Sequence, residues 1–579
     1  MKIVITIIAL LTLTTIWAQQ SKDSLNTEVV NVVKPYTAKI SDAFKIKDKP
    51  KLQNETIKKQ SVNYQINSVP VASTFTPSKG KAKALKRPKR ERLYDNYLSL
   101  GFGNYTTPLI EAYIRAIPNR ESEFGVLLKH HSSQGGIKSV LLDDSFYDSA
   151  VDLYYKRATR DLNWKLNLDA QHKLYHWYGL PTEITDLTFL DTISAKQSYF
   201  NIGLGGDVHF HDGNLKEISI VINRLGDAYK SSEVRARLQP VFEFPISSEL
   251  LNIKLDLDFL NGNFERDYAN TGNITYSNIK FGVLPTFEVL RDYFGLKLGV
   301  KLYYAIGKGN PGQFKAYPDV SVSYQVIDEI FTVYAGVTGG LHYNTYLNIS
   351  NENPFISPNF ISTSTDQRYS AFTGLKGKIA NNISYLLKAS YTDERDKALF
   401  ILNRVKTENG GAAVNADYEL GNSFGVVYDN IKTLGIQGEL AIDFSNEFTF
   451  GGRVDYNAYT MKNHLEAWNL PNLKATLFTD YHSGKWTGDA KLFVVGSRKD
   501  IELPYLGSFT TDYWSSESAY VLTNKAYIDL NAGISYAFTN KLSAFAKGHN
   551  LLGMKYNRFY NYKTQGLQVL AGITFKFDM

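Results

Sequence analysis

From Tyr94 to the C-terminus the chain repeats one pattern: alternating apolar and polar positions in segments of about ten residues, separated by polar joints. Leu251, Ile253, Leu255, Leu257 and Phe259 alternate with Asn252, Lys254, Asp256 and Asp258; Trp164, Leu166, Leu168 and Ala170 alternate with Lys165, Asn167, Asp169 and Gln171. Near the end, Leu567, Val569, Ala571, Ile573, Phe575 and Phe577 share one face, and Gln568, Leu570, Gly572, Thr574 and Lys576 the other. A period of two belongs to β-strands. A soluble antiparallel sheet with one wet face also alternates, so the joints must separate the two readings.

The joints are of two kinds. Very short polar turns are read at Pro118–Glu121, Arg160–Asn163, His211–Asn214, Ile246–Glu249, Arg291–Phe294, Ile327–Glu329, Ala380–Ile383, Phe444–Glu447, His482–Lys485 and Phe538–Lys541. Between them come longer joints, among them Leu180–Lys196, Asn348–Gln367, Val405–Gly421 and Glu502–Ser518. Tight turns at one end and long loops at the other describe a membrane barrel with periplasmic turns and external loops. Ten turns pair twenty strands, and a first and a last strand bring the total to about twenty-two. The fold class is therefore all-β, a transmembrane antiparallel β-barrel. Its lumen is polar, because three charges on one face of a single strand could not face lipid. Tyr and Trp at predicted strand ends (Tyr154-Tyr155, Tyr175 to Tyr178, Tyr303-Tyr304, Tyr456 with Tyr459, Tyr560 with Tyr562) read as an interfacial girdle; aromatics in outer loops could equally stack on a ligand.

The N-terminus departs from this pattern. Residues 1–18 carry Lys2, an apolar run from Ile3 to Trp17 and the small Ala18, which is read as a signal peptide. Residues 19–92 lack periodicity and read as a flexible, disordered basic periplasmic arm, with the barrel occupying 93–579. Ser21 to Arg92 holds 17 basic and 6 acidic residues, a balance of +11. With Lys2 also set aside, the remainder holds 46 basic and 51 acidic residues, a balance of −5, so the net +7 belongs to the arm. An exported basic segment meets no nucleic acid; inner-leaflet headgroups or an acidic lumen wall are its electrostatic complements. Cysteine is absent, which excludes disulfides and thiol chemistry.

The ending Gly572-x-x-Phe575-x-Phe577 resembles the β-signal through which the barrel-insertion machinery recognises bacterial outer-membrane proteins. Asn550-Leu551-Leu552 with Lys555-Tyr556, the segment Phe424 to Asn430 followed by Gly435 to Leu440, and Pro471 to Tyr481 with Gly496-Ser497-Arg498 resemble the barrel of TonB-dependent receptors of the Bacteroidota type. Near the start of the arm, Thr27, Glu28, Val29, Val30, Asn31, Val32 and Val33 resemble the TonB box, a segment suited to strand addition on a partner's sheet. The resemblance implies a twenty-two-stranded barrel in the cell outer membrane. It also implies a folded plug, yet the arm offers too few residues of suitable composition to form one, so a plugless barrel is expected, with the arm, inward-folded loops or another polypeptide filling the lumen.

Other chemistry finds little support. His130-His131-Ser132-Ser133 is the only arrangement with hydrolase-like residue types, and His209 with His211 the only pair on one strand face that could begin a metal site. No enzyme activity, cofactor or resident metal is expected. Two functional classes remain: an outer-membrane receptor or channel for uptake or binding of a nutrient (peptide, glycan or chelate), or a non-transporting structural subunit of an outer-membrane complex. The expected partners are outer-membrane lipid, the barrel-insertion machinery, and TonB or another outer-membrane or periplasmic protein.

Overall fold

The computed structural model describes residues 94–181, 191–247, 249–268, 272–406, 417–502 and 520–578. Among them, 22 antiparallel strands form one sheet that closes on itself. Closure is made by the first strand, Asn96–Gly103, and the last, Gln568–Phe577, in the register Asn96 to Phe577 through Gly103 to Leu570. Every other strand pairs with its sequence neighbours in the barrel. A closed ladder leaves no unpaired edge, as hydrocarbon demands. The arm, with Thr27 to Val33, lies outside the described residues.

All ten predicted turns are turns of the barrel. They join strand pairs such as Thr107–Asn119 with Ser122–Ser133, and Ser232–Ile246 with Glu249–Phe264. In one of the two-residue hairpins, Ser483 pairs with Trp486 across Gly484 and Lys485. Gly484 has φ +58° at the first central position, where a two-residue hairpin needs left-handed backbone. The opposite end is less regular than its long joints predict. The Asn348–Gln367 joint overlaps the strand Ser364–Ala380 and contains part of a short helix, Tyr346–Glu352. Two small hairpins also stand apart from the barrel sheet, one pairing Arg498–Glu502 with Tyr520–Asn524, the other Asn557–Phe559 with Tyr562–Lys563.

The alternation sorts the wall as read. Leu257 and Phe259 are exposed on the outer face, and so are Leu166, Leu168, Val569, Ile573 and Phe575, while Asp256 and Asp258 are buried on the lumen side. The luminal charges of three neighbouring strands, Ser232–Ile246, Glu249–Phe264 and Ile274–Arg291, neutralise one another in a ladder. Arg235 donates through Nε and Nη2 to both oxygens of Asp258 at 2.9 and 2.7 Å. Arg237 does the same to Asp256 at 2.7 and 3.1 Å. Lys280 Nζ lies 3.2 Å from Asp258 and 3.6 Å from Asp256, and 5.0 Å from the Tyr343 ring centroid. Because Arg237 stands opposite Asp258 in register, each arginine reaches the carboxylate one step further down the neighbouring strand.

Aromatic residues divide differently from the predicted girdle. Consecutive strand residues face opposite ways, so a Tyr-Tyr doublet cannot lie wholly in a girdle. Tyr155 packs on Trp164 at 5.2 Å on the outer face, whereas Tyr154 turns inward and donates to Glu123 at 2.6 Å. Tyr304 is exposed outside, and Tyr303 is buried inside.

The orientation of one strand supplies a direct test. Leu255→Arg, on the outer face, is expected to destabilise the barrel by roughly 2–4 kcal/mol, whereas Lys254→Leu, on the luminal face, should change stability by less than about 1 kcal/mol. Reversible urea unfolding in lipid vesicles measures both; equal effects would contradict the assigned facing.

Candidate functional site

At the long-loop end, the joints fold together over the mouth and pack on luminal side chains of the wall. The centre is the segment Asn353 to Ser357, just beyond the helix. Trp177 Nε1 donates to the Phe355 carbonyl at 3.0 Å, and the Tyr199 hydroxyl to the Pro354 carbonyl at 3.0 Å. The Phe355 carbonyl also accepts from Phe424 N at 3.0 Å, while Ser357 N donates to the Phe424 carbonyl at 2.8 Å. The Phe355 ring stacks on Tyr562 at 3.7 Å, and the Tyr562 hydroxyl donates to the Asn422 carbonyl. Asn422 Nδ2 in turn donates to the Trp177 carbonyl at 2.9 Å. Three joints and the loop hairpin bearing Tyr562 therefore meet at one place. Trp177, Tyr346 and Tyr562 have no exposed surface at all.

This placement corrects the girdle expectation for two clusters. Trp177 and Tyr562 belong to the cap, where aromatic area buried away from both water and lipid holds the loops together. Their signal in the sequence was position: both lie in stretches predicted as strand ends but beyond the alternation that defines the strands.

The helix is fixed to the wall by a carboxylate. Glu233, the second residue of its strand and 3% exposed, accepts from Tyr346 N at 2.8 Å, Leu347 N at 3.2 Å and the Tyr276 hydroxyl at 2.6 Å. The free N–H groups of a helix start need acceptors, and a negative charge there also complements the helix dipole. Thr345 caps the same turn by accepting from Asn348 N at 3.1 Å. The Tyr346 hydroxyl reaches a second wall carboxylate, Asp227, at 2.8 Å.

A second lock joins the two sides of the 403–423 joint. Lys406 Nζ lies 2.7 Å from Glu419, and neither side chain has any exposed surface. Arg266 adds a contact to Glu419 at 3.6 Å and donates to the Tyr418 hydroxyl at 3.0 Å. A third lock is Asp500, in the Arg498–Glu502 hairpin and 0% exposed. It accepts from Asn469 Nδ2 at 2.9 Å and Ile501 N at 2.8 Å. Burial outweighs these bonds and pushes its carboxyl up to about 6. Glu233 and Asp500 carried no motif in the sequence, because each acts through residues distant along the chain, and Lys406–Glu419 pairs across a joint that has no periodicity.

The remaining candidates stay apart. His130 meets the Ser149 and Ser132 hydroxyls at 2.8 and 3.1 Å, and among the described residues no carboxylate orients its ring. His209 lies 3.9 Å from Glu217, while His211 Nδ1 bonds the Arg160 carbonyl at 2.7 Å. Among the described residues no group of three potential ligands forms a metal site. Gly572 and Phe575 lie on the closing strand, and Phe577 ends it, stacked on Phe575 at 5.9 Å.

No family model and no curated protein matches the chain. Its fold is similar to solved outer-membrane receptors. The ferripyoverdine receptor of the Pseudomonas aeruginosa outer membrane superposes with a TM-score of 0.60 at 13% identity, over 85% of this chain and 73% of that one. The ferric-catecholate import receptor Fiu of E. coli K12 gives 0.58 at 9% identity, over 84% and 82%. The copper transporter OprC gives 0.56 at 12% identity, over 85% and 82%. At such identities the likeness is one of fold. The chain is a barrel of the outer membrane.

Two outcomes are expected from the locks. Glu233→Gln keeps the shape but removes the charge that accepts two backbone N–H groups. It should weaken the helix anchor by about 1–3 kcal/mol, seen as faster hydrogen exchange across Tyr346–Glu352 with the barrel strands unchanged. Asp500 binds its proton more tightly in the closed cap than in an opened one, where its carboxyl returns to about 3.9. Closure is therefore least favoured above pH 6 and strengthens as pH falls from about 6 to 4, by up to roughly a hundredfold in the local opening constant. Exchange of the Ile501 amide against pH reads this, and Asp500→Asn should flatten the profile.

Proposed function

We propose that this protein is an outer-membrane receptor of the TonB-dependent kind that binds a nutrient, whether peptide, glycan or chelate, and admits it by opening its loop cap. The observation that carries the reading is the joining of a 22-strand barrel, similar in fold to a ferripyoverdine receptor and a copper transporter, with long-loop joints that pack into a buried aromatic cluster at one end. A wide barrel left open would leak; closure by locks that can be released suits admission on demand. In this reading the basic arm is periplasmic and no folded plug is present. Thr27, Glu28, Val29, Val30, Asn31, Val32 and Val33 contact TonB, and Gly572, Phe575 and Phe577 serve the insertion machinery.

A second reading, the non-transporting subunit of an outer-membrane complex, is favoured by the depth of the cap's packing. Its centre buries Trp177, Tyr346 and Tyr562 with no exposed surface, as a rigid docking platform would.

Planar-bilayer recording separates the two. The whole protein should be closed. Lys406→Ala, which takes from buried Glu419 its 2.7 Å partner while Arg266 stays at 3.6 Å, at a cost of up to roughly 3–5 kcal/mol, should show discrete large openings while heat-modified gel mobility remains that of a folded barrel. A folded variant that stays closed, together with unimpaired growth of a deletion strain on peptide, glycan and metal-chelate sources, would overturn the receptor reading in favour of the subunit.

A further inference from the structure

We propose that the outer wall holds one phosphorylated glycolipid of the lipid A type, with an acyl chain in a groove around Ala236 and a phosphate on Arg224. The groove measures about 260 Å³ and is lined on the lipid side by Ile220, Ala236, Leu238, Leu257, Phe259 and Ile279. Its origin lies in the register. One cross-strand row reads Ile222, Ala236, Phe259, Ile279, and the row below it Ile220, Leu238, Leu257, Phe281. Alanine is the one small side chain among these eight, beside seven large ones, so the wall is indented there by the volume a larger side chain would otherwise fill.

The row above, about 7 Å further along the strands, changes character: Arg224, Val234, Asn261, Ser277. The next row towards the loops is Gly226, Ser232, Asn263, Thr275. Arg224 is exposed on the lipid-facing side, three residues before the end of Leu215–Asp227, and has no hydrogen-bond or ion-pair partner among the described residues. A guanidinium on a lipid-facing wall extends to the headgroup level, where its planar fork suits a phosphate. It stands at the long-loop end, which places it in the external leaflet. The hydroxyls of Ser232 and Ser277, the amide of Asn263 and the side-chain oxygen of Asn261, whose Nδ2 donates to the Tyr276 carbonyl at 3.2 Å, suit the hydroxyls of a sugar headgroup better than a bare glycerol phosphate. Apolar groove below, free cation at its rim and sugar-compatible groups alongside together define the occupant.

Native mass spectrometry of the full chain released from detergent, with lipid A or phosphatidylglycerol added, tests this. One lipid A should be retained per chain. Arg224→Gln and Ala236→Phe should each lower retention at least tenfold, while Arg224→Lys and the distant lipid-face change Leu477→Ala should stay within about threefold. Heat-modified gel mobility confirms that each variant is folded, and Arg224→Lys against Arg224→Gln decides the phosphate contact even if Ala236→Phe does not fold. Retention unaltered in Arg224→Gln, or phosphatidylglycerol held as tightly as lipid A, would overturn the assignment.

Discussion

The structure depends on one constraint, that no backbone N–H or C=O can be left unpaired in hydrocarbon. A sheet meets it only by closing, and closure here is the pairing of Asn96–Gly103 with Gln568–Phe577 across almost the whole chain length. Once the sheet is closed, each strand has two fixed faces, and the side-chain period of two decides which residues meet lipid and which meet the lumen. The ion ladder of Arg235, Arg237, Asp256, Asp258 and Lys280 follows from that choice. These charges cannot go outward, and the two carboxylates are each held between cations because the register sets them one step apart.

The barrel was legible in the sequence for the same reason. Alternation such as Leu251 to Phe259 is a direct image of the two faces, and the ten short turns punctuate it wherever the chain must reverse within a few residues. The cap was not legible. Its helix is seven residues long, too short for a 3.6-residue period to emerge, and its anchor, Glu233, lies 113 residues from Tyr346. Two of the aromatic clusters were visible but misassigned, since a tyrosine at a strand end carries the same local pattern whether it meets headgroups or, as Tyr562 does, another loop. Contacts between distant joints leave no periodic trace, and the bond from Trp177 to the Phe355 carbonyl, 178 residues away, is such a contact.

Wall and cap are nonetheless one mechanical problem. The cap rests on luminal side chains near the strand ends: Glu233 and Asp227 hold the helix, and Tyr199 holds the segment after it. A slip of one residue in the strand Ser232–Ile246 would turn Glu233, Arg235 and Arg237 together towards lipid. The same slip would remove the helix anchor and break the ladder, so the charges that forbid a wrong register in the wall also guarantee the seat of the cap. Specification of the loops is in this sense inherited from the strands, although nothing in the loop sequences announces it.

The locks differ in how they can be released, and that difference bears on what the cap is for. The aromatic centre around Phe355 and Tyr562 is non-directional and roughly proportional to area, so it yields only to large movements. Lys406 with Glu419 is of the opposite kind: both partners are buried, and the pair is costly once one of them is lost but contributes little beyond a well-packed apolar pair while intact. Asp500 is strained at neutral pH, since its carboxyl is ionised in a place that favours the proton. A platform meant only to be rigid would gain from replacing such groups with apolar ones. Their presence at the joints, rather than in the wall, fits a closure that is stable as a whole yet held at points where a small chemical change can open it.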